Sequence, residues 1–178
     1  KKVKIFTTFL FAAACANADL VITEVMSDSD ASSGSINGDW FEITNTGSSG
    51  IELANYYWDD NGPSGNDGAL FPEVTIGAEE SLIILNESVA NLPAWRTAWS
   101  ISDNVQVISK DEFGGPDDFS GLSSSGDAIQ IWDADPNAGP ANEVATVTFG
   151  AATAGISFEW AINGTALALS VSGENEAK

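Results

Sequence analysis

The stretch GDWFEITNTG, residues 38–47, predicts the fold most directly. Its side chains alternate, so Phe41 and Ile43 share one face of a strand while Trp40 and Glu42 share the other. An Asn-Thr-Gly turn closes the stretch. The alternation predicts a strand that packs on a core, and it places a carboxylate in the middle of an otherwise apolar strand.

LVITEVM, residues 20–26, repeats this pattern with Glu24 in its middle. Strict alternation puts Val21, Thr23 and Val25 on one face and Ile22, Glu24 and Met26 on the other. If the two strands pair, Glu24 and Glu42 approach each other, and two nearby carboxylates raise one pKa, as in acid/base pairs. The favoured alternative is a half-exposed rim whose carboxylates accept hydrogen bonds from backbone N–H groups or hydroxyls. Calcium coordination and pairing with Arg96 are the remaining alternatives.

Short apolar runs between Gly, Ser, Asn and Asp turns continue along the chain. The predicted strands are 20–26, 40–45, 51–58, 69–76, 81–85, 105–109, 128–133, 143–149 and 156–161. The almost wholly apolar run SLIIL, residues 81–85, predicts a strand buried on both sides. The spacing of Val89, Leu92, Trp95 and Trp99 predicts one helix over about 93–99. Without a βαβ period, the class is all-β: an antiparallel sandwich with one short helix insertion.

Charge and composition exclude several function classes. The chain has 6 basic and 26 acidic residues, a net charge of −20, which opposes binding to nucleic acid and to anionic membranes. It contains no His, and Cys15 is its one cysteine. Ser-His and Cys-His nucleophiles and cysteine zinc sites are therefore excluded, and neither an enzyme nor a cofactor is predicted.

The first residues, KKVKIFTTFLFAAACANA, predict a signal peptide over 1–18. A basic start and an apolar run precede an Ala-Asn-Ala cleavage site, and the run is too short to span a bilayer. The prediction is one domain over 19–178, outside the cell or on its surface. The alternative is a lipoprotein anchored through Cys15. The polar end, SVSGENEAK, lacks a clear final strand, which predicts a frayed tail or a fragment of a longer protein.

Acidic loops raise the question of calcium, which prefers oxygen ligands. Asp28, Asp30 and Ser32 share a D-x-D-x-[SN] spacing with Asp133, Asp135 and Asn137, and a further acidic loop spans 59–67. The two D-x-D loops lack the Gly and Glu positions of an EF-hand. The favoured interpretation is ordinary turns, because Asp and Asn bond to their own backbone.

Aromatic residues suggest a second binding alternative. They are Trp40, Tyr56, Tyr57, Trp58, Trp95, Trp99, Trp132 and Trp160. An exposed strip of such rings would stack on sugars, whereas tryptophans that alternate within strands pack in a core. The core interpretation is favoured here.

Three segments together resemble a bacterial lamin tail domain: LVITEVM (20–26), GDWFEITNTGSSGIELANYYWDDN (38–61) and LFPEVTIGAEESLIIL (70–85). The motif residues include Glu24, Trp40, Phe41, Glu42 and Asn45. The resemblance implies an immunoglobulin-like β-sandwich that serves as a binding or structural module, with no catalytic residues to carry over. The chromatin contact linked to nuclear lamin tails is not expected here, because the chain is so acidic.

Taken together, these features predict an exported, non-enzymatic interaction or structural module whose partner is an unknown protein or glycan. The alternative is a carbohydrate-binding or Ca²⁺-dependent adhesion module.

Overall fold

A computed structural model describes residues 20–29, 38–60, 68–114, 119 and 121–170. The predicted signal peptide 1–18, the lipoprotein candidate Cys15 and the calcium candidate Asp30 lie outside these residues. The strands are β1 (Leu20–Met26), β2 (Trp40–Asn45), β3 (Ile51–Glu52), β4 (Tyr57–Asp59), β5 (Ala69–Leu70), β6 (Thr75–Ile76), β7 (Ser81–Leu85), β8 (Gln106–Ser109), β9 (Asp127–Trp132), β10 (Glu143–Phe149) and β11 (Phe158–Glu159). One α-helix in the described residues, α1, spans Leu92–Trp99, and a short 3₁₀-helix spans Lys110–Glu112.

The strands form a sandwich. A five-stranded sheet has the order β11-β1-β2-β7-β8, and a four-stranded sheet has the order β10-β9-β4-β5. The short strands β3 and β6 form a separate pair. The main core contains side chains from all three sheets, among them Phe41, Trp58 and Ile76. The predicted all-β, immunoglobulin-like sandwich with one short helix is confirmed.

β2 lies in the centre of the five-stranded sheet, between β1 and β7. Phe41 and Ile43 are fully buried in the core between the sheets. Trp40 points to the outer face, where it joins a second apolar cluster. The predicted alternation of this strand is therefore correct, and apolar side chains pack on both of its faces.

β1 departs from strict alternation at a β-bulge between Ile22 and Glu24. Ile22 and Val25 both lie in the main core, and Met26 lies in the outer cluster. The prediction that Ile22, Glu24 and Met26 share one face is therefore wrong. An extra residue in one strand resets the alternation beyond it, and Thr23 is that residue here.

The outer cluster fixes α1 to the five-stranded sheet. Trp95 and Trp99 are buried against Trp40, and the ring centroids lie 6.4 and 5.5 Å from that of Trp40, edge to face. β7 contributes to both cores: Leu82 and Ile84 face the main core, while Ile83 and Leu85 lie under the helix. The prediction that β7 is buried on both sides is confirmed for residues 82–85, which explains why these four positions are all apolar, whereas Ser81 at the start of the strand is half-buried.

The helix belongs to a crossover that the sequence did not predict. β7 and β8 are parallel, with α1 between them in the chain, and parallel neighbours require such a connection. The other strand pairs are antiparallel in the described residues. Val89, expected on the apolar face of the helix, precedes α1 and is exposed.

Two predicted strands are interrupted. The predicted strand 51–58 divides into β3 and β4, and the predicted strand 69–76 divides into β5 and β6. Each half joins a different sheet. Pro72 lies in the second break, where its missing N–H breaks no sheet hydrogen bond.

Candidate functional site

Glu42 lies on the outer face of the five-stranded sheet and is held by a hydroxyl. The Thr23 hydroxyl donates a hydrogen bond to Glu42 Oε1 at 2.5 Å, and it lies 3.0 Å from the Thr44 hydroxyl. The bulge of β1 points Thr23 toward this outer face, so the extra residue is also the group that binds the carboxylate. This arrangement matches the alternative in which a half-exposed carboxylate at the rim accepts a hydrogen bond from a hydroxyl.

Glu24 stands between two other glutamates. It lies opposite Glu42 of β2 and opposite Glu159 of β11, so one row of carboxylates crosses three adjacent strands. The Ser157 hydroxyl donates to Glu24 Oε1 at 2.5 Å. Because neighbouring strands are about 4.8 Å apart, the row is roughly 10 Å long. We call Glu159, Glu24 and Glu42 the carboxylate row.

Burial raises the pKa of Glu24 to about 7. The hydrogen bond from Ser157 acts in the opposite direction, and the negative charges of Glu42 and Glu159 add to the rise. A carboxyl with a raised pKa beside a second carboxyl is an arrangement that acid/base catalysis uses. The groove of about 420 Å³ beside Glu42 is, however, lined by Glu80, Ser81, Asn104, Val105 and Gln106 and does not include Glu24. This groove therefore receives one carboxylate of the pair and not both.

Replacing Glu24 by Gln is expected to stabilise the domain above neutral pH. The folded protein holds the Glu24 proton more tightly than the unfolded chain, so wild-type stability falls as pH rises from about 4.5 to about 7. Gln does not titrate and still accepts the Ser157 hydrogen bond. We expect the variant to be more stable than wild type by about 2 kcal/mol at pH 8, allowing for solvent screening, with the difference vanishing near pH 4.

Urea unfolding of both proteins at pH values from 4 to 8 measures this difference. Glu52→Gln is the control, because Glu52 is exposed and binds the Thr75 hydroxyl at the surface. A wild-type-to-Gln difference that does not change with pH would show that Glu24 ionises in the folded state as it does in the unfolded chain.

Asn45, at the end of β2, is fully buried and ties three segments together. Its side-chain amide donates to the carbonyls of Ser49, Ile76 and Gly77 at 2.7, 3.0 and 2.9 Å. Its Oδ1 accepts the N–H of Gly47 at 2.9 Å. A buried amide that satisfies four partners gives the Asn-x-Gly part of the motif a structural role.

The calcium candidates that the structure describes use their carboxylates within turns. Asp133 accepts the backbone and side-chain N–H groups of Asn142, both at 2.8 Å, and these bonds lower its pKa. Asp135 accepts the N–H of Asn137 at 2.8 Å. Within the described residues no group of three or more acidic, Cys or His side chains is arranged for a metal. Calcium binding at Asp28, Asp30, Asp133, Asp135 and Asn137 stays a prediction.

Arg96, which the sequence offered as a partner for a glutamate, binds backbone carbonyls in the part of the chain that the structure describes. Its guanidinium donates to the backbone carbonyls of Ser102 and Val105 at 2.6 and 2.8 Å, so it fixes the connection between α1 and β8. Arginine offers five N–H donors in a planar fork, which suits a pair of carbonyls as well as a carboxylate.

Two acidic residues were missed by the sequence analysis. Glu159 completes the carboxylate row, and the signal was its place in an apolar strand, ISFEWA, as in the strands of Glu24 and Glu42. Asp39 precedes β2 and accepts the N–H of Leu122 at 3.1 Å. Burial raises the pKa of Asp39 to about 6, the Leu122 bond lowers it, and the charge of Asp28 adds to the rise.

Most of the tryptophans are core residues. Five of the tryptophans are buried and Trp160 is half-buried, so the described surface presents no tryptophan strip for sugars. The large apolar side chains that are exposed in the described residues are aliphatic: Val89, Ile162, Leu167 and Leu169. Three of these four lie within eight residues of one hairpin.

That hairpin, residues 158–170, is called here the β11 hairpin. Its two sides meet at the bridge between Trp160 and Ala166. The N–H of Leu167 donates to the carbonyl of Glu159 at 2.8 Å, so Leu167 lies opposite Glu159 on the outer face. Its side chain is 52% exposed. The hairpin thus extends the carboxylate row with an apolar residue.

A protein-family model matches most of the chain. The family model described as Lamin Tail Domain matches residues 13–171. The chain belongs to the lamin tail domain family. No curated protein and no solved structure matches the chain. The resemblance drawn from the sequence is thereby confirmed, and lamin tail domains are immunoglobulin-like structural domains.

The motif of this lamin tail domain now has a physical explanation. Phe41 and Trp40 fill the two cores, Asn45 joins β2 to the turn and to the 76–77 segment, and the two glutamates lie in the carboxylate row. None of the helices in the described part is long and apolar enough to cross a membrane.

Proposed function

We propose that this lamin tail domain is an exported, non-catalytic module that binds a protein partner through the β11 hairpin. The observation that carries the proposal is the exposure of Ile162, Leu167 and Leu169, at 67, 52 and 48%. Three of the four large apolar side chains that are exposed in the described residues thus lie on this one hairpin. Concentrated apolar exposure of this kind is characteristic of contact surfaces.

The hairpin is an ordered platform for such a contact. Ser157 and Ser170 are buried at its base, where the Ser157 N–H donates to the Ser170 hydroxyl at 2.8 Å and the Ser170 N–H donates to the Ser157 carbonyl at 3.1 Å. Near its tip, Ala161 N–H donates to the Thr165 carbonyl. A contact surface held by such bonds loses little conformational entropy on binding.

A protein partner is favoured over a glycan. The tryptophans that would stack on sugars are buried or half-buried, and the exposed apolar side chains of the hairpin are aliphatic. Export is supported by the signal-like residues 1–18, whose basic start, apolar run and Ala-Asn-Ala site match secretory leaders. The absence of His from the sequence supports a non-catalytic role.

Site-specific photo-crosslinking tests this function. A photoreactive residue replaces Leu167 in the full-length chain made in its own organism, and adducts are sought in the medium and cell-surface fractions. We expect one protein adduct there. The control replaces Val89, which is equally exposed at 51% but lies outside the hairpin, and should give none. Adducts at both positions or at neither, or an adduct confined to the cytoplasm, would contradict the proposal.

A further inference from the structure

This inference rests on the proposed function above and concerns the chemistry of the partner. The residues beside Leu167 indicate that chemistry. Leu167 lies opposite Glu159, which lies opposite Glu24, which lies opposite Glu42. The outer face therefore presents an apolar side chain followed by three carboxylates, one on each successive strand. Strands about 4.8 Å apart make this series roughly 15 Å long.

Spacing indicates the secondary structure of the partner. Side chains three or four residues apart on a helix lie 5–6 Å from each other, close to the distance between adjacent strands. Alternate side chains of an extended segment lie about 6.6–6.8 Å apart, so they lose register over four positions. A helix laid across the strands matches the series better than an extended segment does.

The same face of the sheet already binds one helix. α1 covers the part of the face formed by Met26, Trp40, Ile83 and Leu85. In the cross-strand row the next residue after Glu42 is Ile83, so the carboxylate row begins where the α1 cluster ends. The groove beside Glu42 lies at this boundary. A second helix would extend an existing helical layer, at the usual interaxial distance of about 8–10 Å.

The negative charge of the domain indicates what kind of partner this face would bind. The chain carries a net charge of −20, which opposes a second copy of itself and an anionic lipid surface. In the described residues the basic side chains are those of Arg96, which binds two carbonyls, and Lys110, which lies near Asp111. Lys or Arg side chains from a partner would complement the row.

We infer that the partner segment is a cationic amphipathic helix that lies across β11, β1 and β2, beside α1. Its Lys or Arg side chains, one helical turn apart, bind Glu159 and Glu42 and pass over Glu24, which lies between them. An apolar side chain one further turn along packs on Leu167.

A synthetic peptide of 18 residues is the probe, with three Lys residues one helical turn apart followed by Leu on the same face. A second peptide carries Glu in place of each Lys. Fluorescence anisotropy at 0.15 M salt measures binding to the full domain. We expect binding of the Lys peptide only, with Kd rising about tenfold or more in Leu167→Ser/Leu169→Ser and in Glu42→Gln/Glu159→Gln.

Matched variants serve as controls. Val89→Ser removes an exposed apolar side chain elsewhere, and Glu73→Gln/Glu143→Gln removes two exposed charges away from the row. Both should leave Kd within about twofold, as surface changes away from a contact do. Equal weakening by the control pair would mean general attraction to an acidic protein and would overturn the inference. Equal binding of both peptides, or of neither, would also overturn it.

Analytical ultracentrifugation tests the other occupant. A wild-type dimer that Leu167→Ser/Leu169→Ser dissociates would assign the surface to a second copy and overturn the inference. If the Lys peptide fails to bind while Leu167 still crosslinks to a protein, the proposed function stands and the partner has different chemistry. Circular dichroism of each variant confirms that the sandwich is folded.

Discussion

Phe41→Ala is expected to lower the free energy of unfolding by about 3–5 kcal/mol. Phe41 is fully buried at the centre of the main core, and its ring centroid lies 4.9 Å from that of Trp58 and 6.2 Å from that of Phe119. Truncation removes apolar contact and leaves a cavity, because hydrogen bonds keep each sheet rigid and the remaining core side chains keep the two sheets at their spacing. Since the space cannot close, the loss should lie at the high end for a core residue.

Urea unfolding followed by tryptophan fluorescence measures this effect, with an unchanged m-value as evidence that the folded state remains compact. Phe41→Leu is the matched control, with an expected cost of about 1 kcal/mol, because it keeps most of the volume. If the two variants were equally stable, the site would be able to collapse around the smaller side chain, contrary to a rigid sandwich.

Asn45→Ala is the second large effect, with an expected loss of about 3 kcal/mol. It leaves the carbonyls of Ile76 and Gly77, and the N–H of Gly47, without their side-chain partner at the end of the strand. Each buried group left unsatisfied costs about 1–3 kcal/mol, and some of that is recovered where water enters.

Asn45→Asp separates hydrogen bonding from volume. It keeps the shape and the acceptor for Gly47, but it turns a negative oxygen toward carbonyl oxygens, so it should be at least as destabilising as Ala at pH 7. Asn55→Ala is the control, since Asn55 is exposed in a turn, and it should change stability by less than about 0.5 kcal/mol. Thermal and urea unfolding would disagree with this account if Asn45→Asp were as stable as wild type.

Local patterns were sufficient to predict the strands whose packing is simplest. The bounds of β1, β2, β7 and β10 match the predicted runs, because each run is a continuous stretch in one sheet. The runs 51–58 and 69–76 were not recognised as interrupted, because each leaves one sheet for another part way along. The spacing of apolar residues shows which side chains are buried, and these side chains stay buried where the chain passes from one sheet to the other.

The candidate site could be predicted only in part, because local patterns show which strands are alike but not which distant strands pair. Opposed glutamates in β1 and β2 follow from two neighbouring strands with similar patterns, and the structure places Glu24 opposite Glu42. Glu159 was not foreseeable as a partner of Glu24, since the two residues are 135 positions apart and their pairing depends on strand order. The exposure of Leu167 likewise depends on the hairpin that carries it rather than on its neighbours in sequence.

By itself, the sequence determined the acidic character of this domain, its β class and the family motif, because charge and alternation are local properties of the chain. Tertiary structure decided the rest: the bulge that turns Thr23 toward Glu42, the parallel pair formed around α1 and the alignment of three glutamates with Leu167. These features arise when distant strands meet, and the free energy of those contacts depends on their register. No window of neighbouring residues contains that information.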